Sequence, residues 1–396
     1  MNTNIQFSFW NYVPCGMLGK EAVKDWKEMG MTVAMSFDFD DRIHQKTDIL
    51  ELLDECQKYD IKLIIRDKRT RFRRYMKRTE TEFLEGVREA YADFGKHPAT
   101  FGFFVGDEPS PQEEEAYIAT LRILVEEMPD LVPFNNTFAY WGGSDYLMLT
   151  GRKTERYDQL VERILSETKT PVIGFDCYAQ CAESNFNQET GIDTWFHNLD
   201  MWYKHCKKHG TMLYVSALCV GHWSHRVPTE DDIRWQINTA LAHGARGIVW
   251  FHLYNYAIED DSYRNAPFYG KNFKRTEMFT YIARQQDLFH QYYEEQFNKM
   301  EVTEVYHTGH LYNPECRLCE DEIIQEVTGR FAYPTIVTYY KEYASEERWV
   351  SIVNASQRNV NQLTVKFTCG VEKRFWLEPG GMKLFKLSEL QKEAQK

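Results

Sequence analysis

Along the first 300 residues, short apolar runs alternate with longer stretches in which apolar residues recur every three or four positions. The runs fall at 5–12, 31–38, 61–66, 100–106, 131–136, 171–176, 212–219 and 246–252. Segments such as Lys62-Leu63-Ile64-Ile65 and Gly247-Ile248-Val249-Trp250 are almost wholly apolar, as strands covered by helices on both faces must be. Between them, Asp48 to Cys56 carries apolar residues at helical spacing, and Thr229 with Asp232 makes a helix-start signal. Eight strand-plus-helix units in about 300 residues predict a (β/α)8 barrel. A doubly wound sheet also alternates, but it needs a Gly-rich phosphate turn after its first strand. The turn here, Val13-Pro14-Cys15-Gly16-Met17-Leu18-Gly19, is not one.

After residue 300 the helical pattern gives way to short alternating runs, including Thr335–Tyr340, Arg348–Val353, Leu363–Phe367 and Met382–Leu387. Turn clusters such as Pro379-Gly380-Gly381 separate them. The expected organisation is a catalytic barrel over 1–300, a small antiparallel β-sandwich over 301–388 and a polar tail over 389–396.

The balance of 43% hydrophobic and 27% charged residues is that of a globular chain. A net charge of −12 repels phosphate backbones and argues against general nucleic-acid binding. No apolar run approaches the length of a membrane span. The start at Met1 has neither a basic nor an apolar leader region, so the expected location is cytoplasmic, or periplasmic or secreted if a leader has been removed. The nine scattered cysteines read as reduced packing thiols, and Cys316-Arg317-Leu318-Cys319 is a lone CxxC without a second pair to complete a zinc site. No cofactor and no metal is expected, and oligomeric state is not legible.

Barrel chemistry belongs at the C-terminal strand ends. Strand 4 ends Gly106-Asp107-Glu108-Pro109, strand 6 ends Asp176-Cys177-Tyr178, strand 2 passes Asp38, strand 3 ends at Arg66 and Asp67, and strand 5 ends at Asn135 and Asn136. Strand 7 leads to His222-Trp223-Ser224-His225 and strand 8 to Trp250-Phe251-His252. Adjacent carboxyls beside an apolar wall hold one proton while a neighbour stays charged, the division of labour glycosidic cleavage requires. Strand alternation sends one of Asp107 and Glu108 toward the axis and turns the other aside. The plain alternative is that both are helix caps or ion pairs.

The segment His97-Pro98-Ala99-Thr100-Phe101-Gly102-Phe103-Phe104-Val105-Gly106-Asp107-Glu108-Pro109 resembles the DEP segment of many barrel-type glycoside hydrolases. Asp176-Cys177-Tyr178 and Phe9-Trp10-Asn11-Tyr12 are similar to their strand-6 and strand-1 ends, and the C-terminal β-region to their accessory domain. The resemblance implies that Glu108 is the general acid/base; it does not pick out a numbered family. One departure is plain, because the glutamate nucleophile that the best-known clan keeps at strand 7 is missing. Strand 7 runs to His222 without an acid. The second carboxylate is then Asp176 or Asp107. Alternatively, the Asp107-Glu108 pair acts as in substrate-assisted N-acetylhexosaminidases, with Tyr178 in support. A barrel that binds glycans without turnover is the reading from another class.

For substrate contacts the sequence offers Trp10, Asn11, Asp38, Arg66, Arg69, Asn136, Tyr178, His222, Trp223, Trp250 and His252, with Trp141 also near a strand end. Eight basic residues between Arg66 and Arg78 suggest a subsite for a sulfated or uronate sugar, or else a solvated, ion-paired loop. The spacing of His222 and His225 also suits a metal, a weaker reading than contact with sugar hydroxyls.

Overall fold

The computed structural model describes residues 4–140, 154–178, 181, 188–257, 262–309, 318 and 321–395. Eight parallel strands form the barrel: β1 (Gln6–Phe9), β2 (Val33–Phe39), β3 (Lys62–Asp67), β4 (Thr100–Asp107), β5 (Val132–Phe138), β6 (Val172–Asp176), β7 (Met212–Leu218) and β8 (Ala245–Phe251). They pair in the order β1-β8-β7-β6-β5-β4-β3-β2. The seam between β1 and β2 is drawn together by Thr32, whose N–H donates to Phe7 O at 3.0 Å and whose Oγ1 accepts from Phe7 N at 2.9 Å. The (β/α)8 expectation is met.

Alternation along the strands makes two cores. Val33, Met35, Ile64, Phe104, Phe134, Val172, Tyr214 and Val249 fill the barrel axis together with Trp10. Their strand neighbours, such as Phe9, Phe103, Phe175, Ile248 and Trp250, face the surrounding helices. Those helices are α1 (Ala22–Glu28), α2 (Lys46–Lys58), α3 (Glu80–Ala90), α4 (Glu114–Glu127), α5 (Thr154–Thr168), α6 (Gln188–His209), α7 (Glu230–Ala242) and α8 (Glu277–Tyr292). At the start of α7 the sequence signal becomes a capping box. Thr229 Oγ1 accepts from Asp232 N at 3.3 Å, and Asp232 Oδ2 accepts from Thr229 N at 2.8 Å. Among the described residues no helix is long and apolar enough to cross a membrane.

The C-terminal strands are β9 (Met300–Thr308), β10 (Ile324–Gly329), β11 (Thr335–Glu342), β12 (Arg348–Asn354), β13 (Asn361–Phe367), β14 (Glu372–Leu377) and β15 (Met382–Lys386). They form antiparallel sheets β9-β11-β12-β15 and β10-β13-β14 around a core that includes Ile324, Val337, Val350, Val365 and Leu377. Much of the segment expected as a polar tail, 389–396, is instead a helix, α9 (Leu387–Ala394). Leu390, one turn after Leu387, is buried in this core.

The sandwich sits against α7 and the start of β8. Trp235 Nε1 donates to Ala355 O at 2.7 Å, and Asn238 Nδ2 donates to Gly380 O at 2.8 Å. Gly380 has φ +68°, and a Cβ there would lie 2.4 Å from Trp235 Cα, so this turn admits only glycine without rearrangement. Arg246, at the base of β8, donates to Phe297 O at 2.7 Å and to Met300 O, tying the barrel floor to the first sandwich strand.

Candidate active site

Asp107, Glu108 and Asp176 meet at the C-terminal mouth. The strand-4 end departs from simple alternation, with a register shift between Phe104 and Gly106 against β5. Gly106 takes φ +150° with the Phe72 ring 2.1 Å from where a Cβ would stand, and Glu108 takes φ +46°. The irregularity turns both Asp107 and Glu108 toward Asp176, which alternation alone would forbid. Glu108 N donates to Asn136 O at 3.1 Å, pinning the turn to β5.

One amide joins the acids. Asn136 Nδ2 donates to Asp107 Oδ1 at 2.9 Å and to Asp176 Oδ1 at 2.8 Å. The carboxyl groups of Glu108 and Asp176 face each other within hydrogen-bonding reach, close enough to share a proton. Burial, then the negative charges of Asp176 and Asp107, push the Glu108 carboxyl up to about 10. Burial and the charge of Asp107 raise Asp176 to about 7, against the pull of the Asn136 hydrogen bond. Burial also raises Asp107, opposed by Asn136, Arg73 and Arg66. The cluster therefore keeps a proton at neutral pH, with Glu108 as its holder.

The walls differ in character. On the β6–β8 side, Tyr178 packs at 5.3 Å on Phe251, and His222 stacks on Tyr263 at 5.4 Å and on Trp223 at 4.4 Å. Burial, then His225 and Arg264, push the His222 imidazole down to about 4, so it is neutral in ordinary buffers. Among the described residues its buried Nδ1 has no hydrogen-bond partner. Trp223 is 67% exposed at the rim. His252 is buried edge-on to Tyr12 at 5.6 Å and to Tyr263 at 4.6 Å. On the β2–β3 side, Arg66 NH2 meets Asp38 Oδ1 at 2.9 Å, Arg71 pairs with the same oxygen, and Arg66 lies 5.2 Å from the Tyr12 ring centre. The Tyr12 hydroxyl is raised by burial and by Asp107, which places that ring beside the acids.

Several residues expected to contact substrate are engaged elsewhere. Trp250 is fully buried between β8 and α8, with Nε1 donating to Gln286 Oε1 at 2.9 Å. Val249 takes the axial position on that strand, and Phe251 takes the mouth. Arg69 turns behind β3 to Asp67 at 2.7 Å and Asp93 at 2.8 Å. The amide of Asn11 donates to Met35 O at 3.1 Å and accepts from Val13 N at 3.0 Å, closing the seam above β1 and β2. Trp10 lies in the axial core, one layer below the mouth. Asn136 holds the acids rather than facing open space.

In the basic loop, Lys68 meets Asp40, Arg73 meets Glu113 and Arg78 meets Glu82, in addition to the Arg66, Arg69 and Arg71 pairs. Among the described residues no three His, Cys, Asp or Glu side chains are grouped to hold a metal. Trp141 and the Cys316/Cys319 pair lie outside the described residues. The sequence reading missed Ser216, Phe251 and Tyr263. Ser216 follows Tyr214 at the axial period of two along β7 and was findable on that basis. Tyr263 reaches the mouth only through its pairing with His222, which no local pattern announces.

The fold and mouth together define a (β/α)8 barrel carrying a C-terminal β-sandwich. Neither a protein-family model nor a curated protein sequence matches the chain. Solved structures match its architecture. The GH42 β-galactosidase Gan42B from G. stearothermophilus is similar over 98% of this chain and 99% of its own, with TM-score 0.60 and 10% identity. A glycoside hydrolase family 5 structure from Bacteroides vulgatus is similar over 96% of this chain and 88% of its own, with TM-score 0.56 and 9% identity. At such identities the likeness establishes a shared fold.

Proposed function

We propose that the protein is a glycoside hydrolase that cleaves O-glycosidic bonds, with Glu108 as the general acid. The observation that carries this reading is the meeting of Glu108, Asp176 and Asp107 at the barrel mouth, the two aspartates joined by the Asn136 amide, beside an aromatic wall. A protonated carboxyl poised at neutral pH is what a leaving glycosidic oxygen requires. When that oxygen displaces Asp176 as acceptor, Glu108 gives up its proton and the Asp176 carboxylate is freed. It then faces the positive charge developing at the anomeric carbon.

Inverting enzymes keep their carboxyls roughly 6.5–9.5 Å apart to seat a water, and retaining enzymes about 5 Å. Hydrogen-bonded carboxyls leave no such gap, which favours retention with Asp176 as nucleophile. A substrate-assisted route has one specific observation in its favour. Asp107 shares the mouth with Glu108, and the Tyr178 hydroxyl is raised by burial and then by the nearby charge of Asp176. In that route Asp107 orients an acetamide that attacks in place of Asp176.

An anionic glycan gains only partial support. The paired loop arginines leave two guanidiniums, Arg66 and Arg71, sharing the single carboxylate of Asp38. In this reading the barrel of residues 1–300 carries the chemistry, and the sandwich of 301–388 braces α7.

The test is product release from neutral, N-acetylated and anionic oligosaccharides by wild type and Glu108→Gln. We expect wild-type release and a loss of about 10²–10⁴ in kcat for the variant. Undiminished turnover by Glu108→Gln would remove Glu108 from the role, and binding without turnover by wild type would leave a glycan-binding barrel.

A further inference from the structure

Burial raises all three carboxyls, so it cannot by itself separate an acid from its charged partners. A directed hydrogen bond can. Donors aimed at a carboxylate favour its ionised form, whereas a carbonyl oxygen aimed at it favours the protonated form. A carboxamide presents either face, so the effect of Asn136 depends on which end points at Asp107 and Asp176.

Its neighbours decide that. An indole N–H can only donate. Trp10 Nε1 donates to Ser216 Oγ at 3.0 Å, filling a lone pair of that hydroxyl, and Ser216 directs its own proton to Asn136 Oδ1 at 3.2 Å. In this arrangement the carbonyl end of Asn136 faces β7 and its NH2 faces the two acids. The relay runs from a donor-only group to a pair of acceptors: Trp10 occupies one of the two lone pairs of the hydroxyl, and the carboxylates, which only accept, take the NH2 end of Asn136. Asn136 and Ser216 lie on β5 and β7, and Trp10 follows the end of β1 in the axial core.

We propose that Ser216, oriented by Trp10, is a positioning residue that holds the Asn136 amide with its NH2 toward Asp107 and Asp176, favouring the ionised form of those two carboxyls beside a protonated Glu108. This rests on the reading of Glu108 as the acid. The other titratable and charged groups facing the pair are Glu108, Tyr12, Tyr117, Tyr178, Arg66 and Arg73. Substitution of Ser216 removes none of them.

The experiment compares wild type with Ser216→Ala, Trp10→Phe and Ser216→Thr in two ways. The first is the pH profile of kcat/KM on whichever oligosaccharide wild type cleaves. With the relay broken, the amide is free to turn and the acid limb moves up by about one pH unit, a tenfold loss on the acid side. The Thr variant, which keeps a hydroxyl, returns the limb toward its wild-type position. The second uses no substrate. Carboxyls whose folded values are raised lose stability as pH rises from the unfolded value to the folded one. In Ser216→Ala that decline, followed by urea unfolding between pH 5 and 9, extends about one pH unit further.

An activity loss equal at every pH with the limb unmoved, or an unfolding window that coincides with wild type, would overturn the proposal. If wild type cleaves no oligosaccharide, the hydrolase reading fails, and the unfolding window alone decides the relay.

Discussion

Replacing Glu108 by Gln should stabilise the protein, and by an amount that depends on pH. In the folded chain the Glu108 carboxyl is raised to about 10 from an ordinary 4.5. Between those values the unfolded chain gives up this proton while the folded chain keeps it. The unfolded state then binds fewer protons, so stability falls as pH rises, and it levels off only above the folded value. Each pH unit in that window costs about 1.4 kcal/mol. From pH 4.5 to pH 7 the loss is about 3 kcal/mol, a figure that requires only that the folded value lie above 7.

Gln cannot titrate, and its amide still donates to Asp176. Unfolding entropy of about 2.1 cal/mol/K per residue over 396 residues converts 3 kcal/mol to about 4 °C. Thermal unfolding of both proteins at pH 4.5, 6, 7 and 8 is the assay. The variant should gain on wild type steadily with pH, starting from near parity or a small deficit. A difference constant across pH, or one that shrinks as pH rises, would show that Glu108 is ionised in the folded chain at neutral pH. The general-acid assignment would fall with it.

Three further outcomes are expected. Gly380→Ala places a Cβ against the Trp235 backbone at φ +68° and should cost about 3 kcal/mol in urea unfolding; a cost under about 0.5 kcal/mol would mean that the sandwich does not brace α7 as described. Trp250→Phe strands the Gln286 carbonyl inside the layer between β8 and α8, so stability should drop by about 2 kcal/mol with KM unchanged, and a raised KM would restore Trp250 as a substrate contact. Trp223→Ala should leave the thermal midpoint within about 1 °C and raise KM for oligosaccharides about fivefold, the worth of one stacking contact; equal KM in the two proteins would take Trp223 out of the subsite.

The barrel was legible because its strands are apolar on both faces and its helices on one, and each expected run lies within a few residues of an observed strand. The three acids were legible for a related reason, since strand ends mark the mouth. What did not show was direction. Trp250 and Phe251 are adjacent aromatics at a strand end, and only the barrel's register decides that Val249 and Phe251 point inward while Trp250 points out. The sequence likewise presents Arg69 as one of a basic run. Its carboxylate partners, Asp67 and Asp93, lie 2 and 24 residues away, and the second is reached only through the fold.

Asp107 and Glu108 show the limit from the other side. A period of two forbids adjacent residues from sharing a target, and these two share one because Gly106 and the positive φ of Glu108 break the period just where the strand ends. That break assembles three half-buried carboxyls whose mutual repulsion opposes folding, and the opposition is itself informative. A barrel selected for stability alone would set an amide or an apolar side chain at position 108, with no proton to hold. Strain in the backbone, carboxyls raised by burial and an amide bridging two of them converge on the same few ångströms. Each is costly or neutral for folding when taken alone. On the proposed reading of Glu108 as the acid, their convergence sets a protonated carboxyl beside two aspartates that share one amide.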